Sequence, residues 1–379
     1  MKILNKNTII LMMVAFIISG IVSCKKDSTS GEPEIKYIRL TNPDLSDSLL
    51  IGAKQGRLIA IVGENLQGAK EIWFNDQQAL LTPTFITNTS ILVSVPLPVP
   101  VEITNTIRIV FANGRTIDYN FQVQINAPTV TSMNCEYVNA GDVASISGDY
   151  FYPPLTVTFS GGAKGEIVSV TDQLIQVRVP GGAEPGQITV ATNFGSTKSN
   201  FWFRDNRNIY ISNDPFAGWW GAAYIVSDPG PGAPSKINGN YVRYINPAAT
   251  GTIGVLGGPA SAMPDSKNIP DDAILNPAGY YLKFEINTQK PYNAKVIRLN
   301  VALADNYNNA YLWKPPFDTH GQWQTVVIPF EKVMNSYGGA MLTTPNPNGY
   351  WNSVAIQGSG TLDADISFDN FRVVPKVSK

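Results

Sequence analysis

The chain has 379 residues, with 28 basic and 29 acidic side chains, a formal net charge of -1, a single His and two Cys. This balanced charge excludes a basic nucleic-acid binder that depends on phosphate contacts, and it excludes a solvating acidic tail. One His cannot form a His cluster for zinc. A low charged fraction of 15%, together with 32 Gly and 27 Pro, is typical of an extracytoplasmic β-protein. The length predicts two to four domains.

The N-terminal segment indicates export. A basic start is followed by an apolar run from residue 9 to 18, which is too short to span a bilayer as a helix. The small residues before Cys24 resemble the lipobox of bacterial lipoproteins, so we expect residues 1–23 to be a signal peptide. Residues 24–34 would then be a lipidated Cys and its polar tether, and several acyl chains would anchor it stably. An ordinary secretory signal with a chance Cys is the alternative. If Cys24 is acylated, no intramolecular disulfide can form.

Two consecutive stretches, residues 58–114 and 143–195, repeat the same order of strands and turns. Gly63 matches Gly148, 85 residues further on. A recurring period of this kind indicates tandem domains of similar fold. Within each repeat, apolar and polar residues alternate over short segments bounded by Gly and Asn, which predicts half-buried strands and a small β-sandwich.

The second repeat resembles the IPT/TIG immunoglobulin-like domain. It carries Pro-x-Val at 128–130, Ile-x-Gly-x-x-Phe at 146–151, a strand ending in Val-Pro at 179–180 and a strand ending in Asn-x-Gly at 193–195. The first repeat departs from this pattern through a longer opening loop. The resemblance implies immunoglobulin-like domains at 35–125 and 126–204, and such domains often act as spacers.

The C-terminal region, residues 205–379, is different. The repeat stops, and five of the seven Trp lie here. The pattern Gly-x-Trp-x-Thr-Val-x-Ile-Pro at 321–329, followed by Phe-Asp-Asn-Phe-Arg-Val at 368–373, resembles the closing strands of jelly-roll carbohydrate-binding modules. In those modules the motif Trp is generally core, which makes Trp323 structural. The predicted fold is therefore all-β, with two immunoglobulin-like sandwiches followed by a jelly-roll-like β-sandwich carbohydrate-binding domain.

Several aromatic residues of this region sit in Gly-, Asn- or Pro-rich surroundings. Adjacent residues of an extended segment point to opposite faces, so a Trp-Trp or Tyr-Trp pair can offer one ring to the core and one to solvent, whereas residues two apart share a face. Exposed rings are costly unless they have a purpose, and the axial C–H faces of a β-linked glucose or mannose would stack on them. Core packing is the alternative for each ring. The candidate glycan-binding residues are Trp219, Trp220, Tyr311, Trp313, Tyr350 and Trp351.

The complete layout resembles the surface glycan-binding proteins of Bacteroidota-type polysaccharide-utilisation systems. This resemblance implies a noncatalytic lipoprotein, held by a lipid anchor in the outer membrane and facing the cell surface. It would bind a plant polysaccharide, most often a β-glucan or other hemicellulose, through its C-terminal domain. The implied neighbours are an outer-membrane glycan transporter and an endo-glycanase. No cofactor is expected, no metal site is assigned, and the charge balance excludes nucleic acid as a partner.

Two other classes of function stay open at this point. A glycoside hydrolase needs two positioned carboxylates; Glu285 alternates on a strand and is expected to face water, and Asp369 is expected to cap a turn. Asp363 and Asp365 could contribute to a calcium site, although two carboxylates are a weak indication. The lone His320 is expected to be a loop residue or a ligand contact. An adhesin would use its aromatic patches to bind a protein partner.

Overall fold

The computed structural model describes residues 31–45, 47–304, 310–313, 317–336 and 342–377. The predicted signal peptide and the predicted lipidation site Cys24 lie outside these residues. The described residues divide into two compact units, with the boundary between Ile125 and Asn126. The all-β prediction is confirmed. No helix in the described part of the chain is both long and apolar enough to cross a membrane.

The first unit contains a small β-sandwich. One sheet has the order β1-β3-β6 and the other β5-β4-β7-β8, while β2 pairs in parallel with β9. Alternation along β3 and β7 places Ile59, Ile61, Ile107 and Ile109 in the core between the sheets. The strands are β1 (Glu34–Leu40), β2 (Gly52–Lys54), β3 (Leu58–Glu64), β4 (Ala69–Phe74), β5 (Gln77–Gln78), β6 (Ser90–Ser94), β7 (Thr106–Phe111), β8 (Thr116–Asn120) and β9 (Gln122–Gln124).

The second unit begins with another small sandwich. Its sheets have the orders β10-β11-β14-β13 and β12-β15-β16. Ile146, Val157, Ile175 and Val190 are buried between them, because each alternates with a polar neighbour along its strand. The strands are β10 (Thr129–Met133), β11 (Val143–Asp149), β12 (Leu155–Ser160), β13 (Glu166–Val170), β14 (Leu174–Arg178), β15 (Glu184–Thr192) and β16 (Gly195–Phe203).

A larger sandwich completes the second unit. A six-stranded sheet, β18-β19-β26-β21-β24 with β17 beside β26, packs against a four-stranded sheet, β20-β25-β22-β23. Leu282 and Phe284 of the first sheet meet Leu299 and Val301 of the second in the core. The elements are β17 (Ile209–Ile211), β18 (Ile225–Val226), β19 (Tyr241–Ala249), β20 (Ile253–Gly258), α1 (Asp271–Leu275), β21 (Tyr280–Thr288), β22 (Val296–Ala302), β23 (Tyr311–Trp313), β24 (Gln324–Pro329), α2 (Phe330–Asn335), β25 (Trp351–Gln357) and β26 (Leu362–Pro375).

A buried ion network joins the two sandwiches of the second unit. Arg372 of β26 donates to Glu136 and to Glu285, in each case over 2.8 Å. Lys283 also pairs with Glu136, and the Glu136 amide donates to the hydroxyl of Thr325. The prediction that Glu285 faces water is therefore wrong. Its side chain is fully buried, because the second sandwich covers this outer face of the six-stranded sheet.

Asp369 also differs from the prediction. It lies inside the 14-residue strand β26 rather than in a turn, although its carboxylate accepts the backbone N–H of Asn370 over 2.8 Å. Asn370 adopts a left-handed conformation with φ of 52°. The strand register shifts opposite this point, so the Phe-Asp-Asn-Phe sequence is a β-bulge. Burial, and secondarily the charge of Glu285, hold the pKa of Asp369 well above its usual range.

Candidate functional site

Trp219 and Trp220 lie in the loop between β17 and β18, and their side chains differ in exposure. Trp219 is 65% exposed. The ring of Trp220 lies on β20, whose glycines leave room for it. A Cβ atom at Gly254 or at Gly257 would come within 2.6 Å of that ring. The prediction that one ring of this pair enters the core is not what the structure shows, because both rings lie outside the core and differ only in how far they are exposed.

Trp351 brings these rings together into one cluster. It opens β25, and its ring meets Trp219 edge to face, with centroids 5.2 Å apart and planes at 87°. The ring of Trp220 is 6.2 Å from that of Trp351, at 47°. We call Trp219, Trp220 and Trp351 the Trp cluster. It lies on the outer face of the four-stranded sheet, because residues adjacent to Trp351 along β25 alternate between this face and the core.

Polar side chains continue this outer face beyond the Trp cluster. In the strand register, Ser353 of β25 lies opposite Asn300 of β22, and Arg298 lies two residues further along β22. Gln357 follows on the same side of β25. Their neighbours Val354 and Leu299 point into the core. This side of the sheet therefore carries polar groups beside the indole rings, although Arg298, Asn300 and Ser353 are buried, with exposures of 0%, 2% and 2%.

Four polar atoms of this surface are buried and have no hydrogen-bond partner among the described residues. They are the indole nitrogens of Trp220 and Trp351, Ser353 Oγ and Gln357 Oε1. A buried polar group without a partner costs about 1–3 kcal/mol, and native structures contain few of them. Such a concentration on one sheet face favours a ligand that brings its own donors and acceptors.

Three of the predicted aromatic residues do not join the Trp cluster. Tyr311 and Trp313 do share one face of β23, but their strand partners are the core residues Leu299 and Ile297, so that face is the core side. Trp313 accordingly stacks on Phe317, with centroids 4.7 Å apart.

Tyr350 is also on the core side. It is 1% exposed, and its hydroxyl accepts the amide of Asn346. The Tyr350-Trp351 pair thus offers one ring to the core and one to the outer face, as the alternation predicts. The expectation that Tyr350 takes part in glycan binding is wrong, because its ring is the one turned inward.

The carboxylates considered for catalysis or calcium binding are held by cations. Asp365 forms a two-pronged pair with Arg243, both contacts at 2.8 Å. Asp363 pairs with Lys290 at 2.6 Å. Among the described residues there is no group of three His, Cys, Asp or Glu placed to hold a metal. These pairings account for Asp363 and Asp365 without an ion.

Trp323 and His320, the other two residues considered in the sequence, lie outside the Trp cluster. Trp323 donates its indole N–H to the carbonyl of Ser235 over 2.8 Å and meets Tyr241 edge to face. His320 is a loop residue whose side chain is 84% exposed and lies 3.2 Å from Asp318.

Comparison with known proteins places the C-terminal sandwich in a family. Residues 203–375 match the family model described as "Surface glycan-binding protein B xyloglucan binding domain". An IPT/TIG domain-containing protein of Bacteroides ovatus is 32% identical over 156 residues, which are 40% of this chain and 31% of that protein. The match therefore spans about a third of the length of this relative.

Two solved structures extend the similarity over most of the chain. The crystal structure of a surface glycan-binding protein from Prevotella bryantii shares 26% identity, covers 91% of this chain and 99% of its own, and superposes with a TM-score of 0.67. A protein from a complex xyloglucan utilization locus of Bacteroides uniformis shares 16% identity at a TM-score of 0.52, covering 91% of this chain and 100% of its own, which indicates a common fold.

Together, the fold and the Trp cluster define a protein of several β-sandwich domains, in which the C-terminal sandwich is of the carbohydrate-binding class. More narrowly, residues 203–375 match the model of the xyloglucan-binding domain of surface glycan-binding proteins. The resemblance to surface glycan-binding proteins drawn from the sequence is confirmed.

Proposed function

We propose that this protein is a noncatalytic lipoprotein of the cell surface that binds a neutral plant polysaccharide, with xyloglucan the favoured ligand. The observation that carries the proposal is the Trp cluster, together with four polar atoms, two in the cluster and two beside it, that have no partner among the described residues. The description of the matching family as a xyloglucan-binding domain supports the choice of ligand.

The chemistry of the face suits a sugar chain. Indole rings provide flat apolar surfaces for the C–H faces of glucose, and Gln357 beside them has an amide oxygen without a partner among the described residues. Trp219 is held against Trp351, and Trp220 is fixed on the glycines of β20. A platform that is rigid before the ligand arrives loses less conformational entropy on binding. In this proposal Trp219, Trp220 and Trp351 form the platform, and Gln357 lies beside it on the same sheet face.

Binding without hydrolysis is supported by the burial and the ion pairing of the candidate carboxylates. A hydrolase needs one carboxylic acid and one carboxylate facing the same glycosidic bond. Glu285 is fully buried between Arg372 and Thr325, away from the Trp cluster on the opposite sheet. Asp363 and Asp365 are engaged with basic side chains. The relatives are, by their descriptions, glycan-binding proteins.

The rest of the chain fits display at a membrane surface. We propose that Cys24 carries the lipid anchor in the outer membrane and that the IPT/TIG-like domains, residues 35–125 and 126–204, are spacers. The C-terminal domain, residues 205–379, would then hold polysaccharide for a neighbouring outer-membrane transporter and endo-glycanase. Labelling with radioactive palmitate, compared between the native chain and Cys24→Ser, tests the anchor; equal label in both would contradict it.

Affinity electrophoresis tests the proposed function. Native gels would contain xyloglucan, mixed-linkage glucan, mannan or xylan, and released reducing sugar would be measured over time. We expect retardation in the xyloglucan gel without reducing-sugar release. Release of reducing sugar would show an enzyme, and unchanged mobility in every gel would favour an adhesin.

A further inference from the structure

A second concave surface lies on the other side of the C-terminal sandwich. It is a cleft of about 520 Å³, formed where the second β-sandwich covers part of the outer face of the six-stranded sheet. Both sandwiches belong to the compact unit 126–379. Small-molecule sites generally have volumes of about 300–1,000 Å³. Its polar and aromatic walls include Asn134, Asn139, Asp142, Asn287, Gln322 and Trp323. We call this the interdomain cleft.

We propose that the interdomain cleft is a second binding site for a neutral saccharide, separate from the Trp cluster; this inference rests on the proposed function. The described residues that line the cleft include no Lys or Arg, so it lacks the groups that recognise phosphate or carboxylate. Asn and Gln side chains each provide donors and an acceptor. One indole with surrounding amides is the combination that suits a sugar ring.

The walls of the interdomain cleft are fixed before any ligand binds. Trp323 is held by its bond to Ser235 and by Tyr241. Asn139 donates its amide nitrogen to the carbonyl of Lys236 over 2.9 Å, and the described hydrogen bonds leave its amide oxygen for a ligand. The buried pairs between Arg372 and Glu136 hold the two walls together. This rigidity lowers the entropic cost of binding.

The two sites lie on opposite sheets. Asn287 of β21 belongs to the outer face of the six-stranded sheet, since its neighbour Ile286 points into the core. Trp351 belongs to the outer face of the four-stranded sheet. The whole sandwich separates them, so one short oligosaccharide cannot fill both. The proposal therefore requires a stoichiometry of two oligosaccharides per chain.

Native mass spectrometry and isothermal titration of the full chain with a xyloglucan heptasaccharide test this inference. We expect two bound oligosaccharides per chain, and one in Trp351→Ala, which keeps the interdomain cleft. Gln322→Ala, a change in the wall of the interdomain cleft, should weaken only the binding of the oligosaccharide in this cleft, by about fivefold or more. Gln173→Ala, an exposed Gln outside both sites, is the control and should bind like the native chain.

Ser145→Trp fills the interdomain cleft with a bulky ring and should abolish binding there. Its unfolding temperature would confirm that the chain is folded. A stoichiometry of one in the native chain, lost in Trp351→Ala, would overturn the second site and leave the proposed function standing. Two binding events that persist unchanged in Gln322→Ala and Ser145→Trp would also overturn it. Absence of binding to the native chain and to every variant would overturn both proposals.

Discussion

Trp219 and Trp351 meet edge to face, with ring centroids 5.2 Å apart, although they are 132 residues apart in the sequence. Edge-to-face pairs are worth about 0.5–1.5 kcal/mol beyond the apolar area they bury. The contact fixes an exposed ring of a loop against the first residue of a strand. It explains how a loop residue that is 65% exposed can form part of a defined platform.

The glycines of β20 give the first prediction. In Gly254→Ala the new Cβ would come within 2.6 Å of Trp220 Nε1, so the indole must move off the strand. We expect the affinity for xyloglucan to fall about tenfold, equivalent to about 1.4 kcal/mol, measured by isothermal titration. Gly182→Ala, where the nearest atom would be 3.6 Å away, is the control. Equal affinity in the two variants would show that the position of Trp220 does not matter for binding.

The ion network between the sandwiches gives the second prediction. Glu136→Ala would leave Lys283 and part of Arg372 buried without their partner. Removing one member of a buried pair typically costs about 3–5 kcal/mol, which denaturant unfolding would measure.

Glu166→Ala is the matched control for that change. It breaks the exposed pair with Arg178, and surface pairs contribute less than about 1 kcal/mol. A loss of stability no greater in Glu136→Ala than in Glu166→Ala would contradict the role given to the network.

Asp369 gives a prediction for pH. Its folded-state pKa is raised, chiefly by burial and then by Glu285, while Arg372 opposes the shift. The stability that this group contributes is therefore complete below the ordinary pKa of Asp and is lost as the pH rises through the folded-state pKa. Asp369→Asn should raise the unfolding temperature relative to the native chain at pH 8, and the difference should narrow towards pH 5.

The exposed Asp363 provides the comparison for the pH experiment. Its pair with Lys290 is about half exposed, so Asp363→Asn should leave the pH profile of unfolding nearly unchanged. A profile of Asp369→Asn parallel to that of the native chain from pH 5 to pH 8 would show that Asp369 does not titrate abnormally.

Cys135 gives a prediction about reactivity. Its thiol is buried and lies 3.0 Å from the carbonyl of Tyr137, and burial raises its pKa well above the ordinary value. Because the thiolate is the reactive species, we expect Ellman's reagent to leave Cys135 unmodified in the folded Cys24→Ser chain and to titrate one thiol in guanidinium chloride. Rapid reaction in the folded chain would contradict the described burial.

The sequence predicts the fold well because the apolar alternation and the Gly and Asn turns are local signals. The same alternation along residues 297–304 and 351–358 places Arg298, Asn300 and Ser353 on the side of the sheet opposite the core. Tyr311 and Trp313 illustrate the limit: spacing predicts that they share a face, but only the pairing of β23 with β22 decides that this face is the core. The burial of Glu285 depends on a neighbouring sandwich, which no local pattern indicates.

The central claim is that the Trp cluster binds the glycan, and Trp351→Ala tests it most directly. Isothermal titration with xyloglucan would compare the native chain, Trp351→Ala and Trp73→Ala, which removes a half-buried Trp of the first sandwich, with thermal unfolding measured for each. We predict that binding at the Trp cluster disappears in Trp351→Ala, with an unfolding temperature close to that of the native chain, and that binding is unchanged in Trp73→Ala. Affinity for xyloglucan within twofold of the native value in a folded Trp351→Ala chain would contradict the claim.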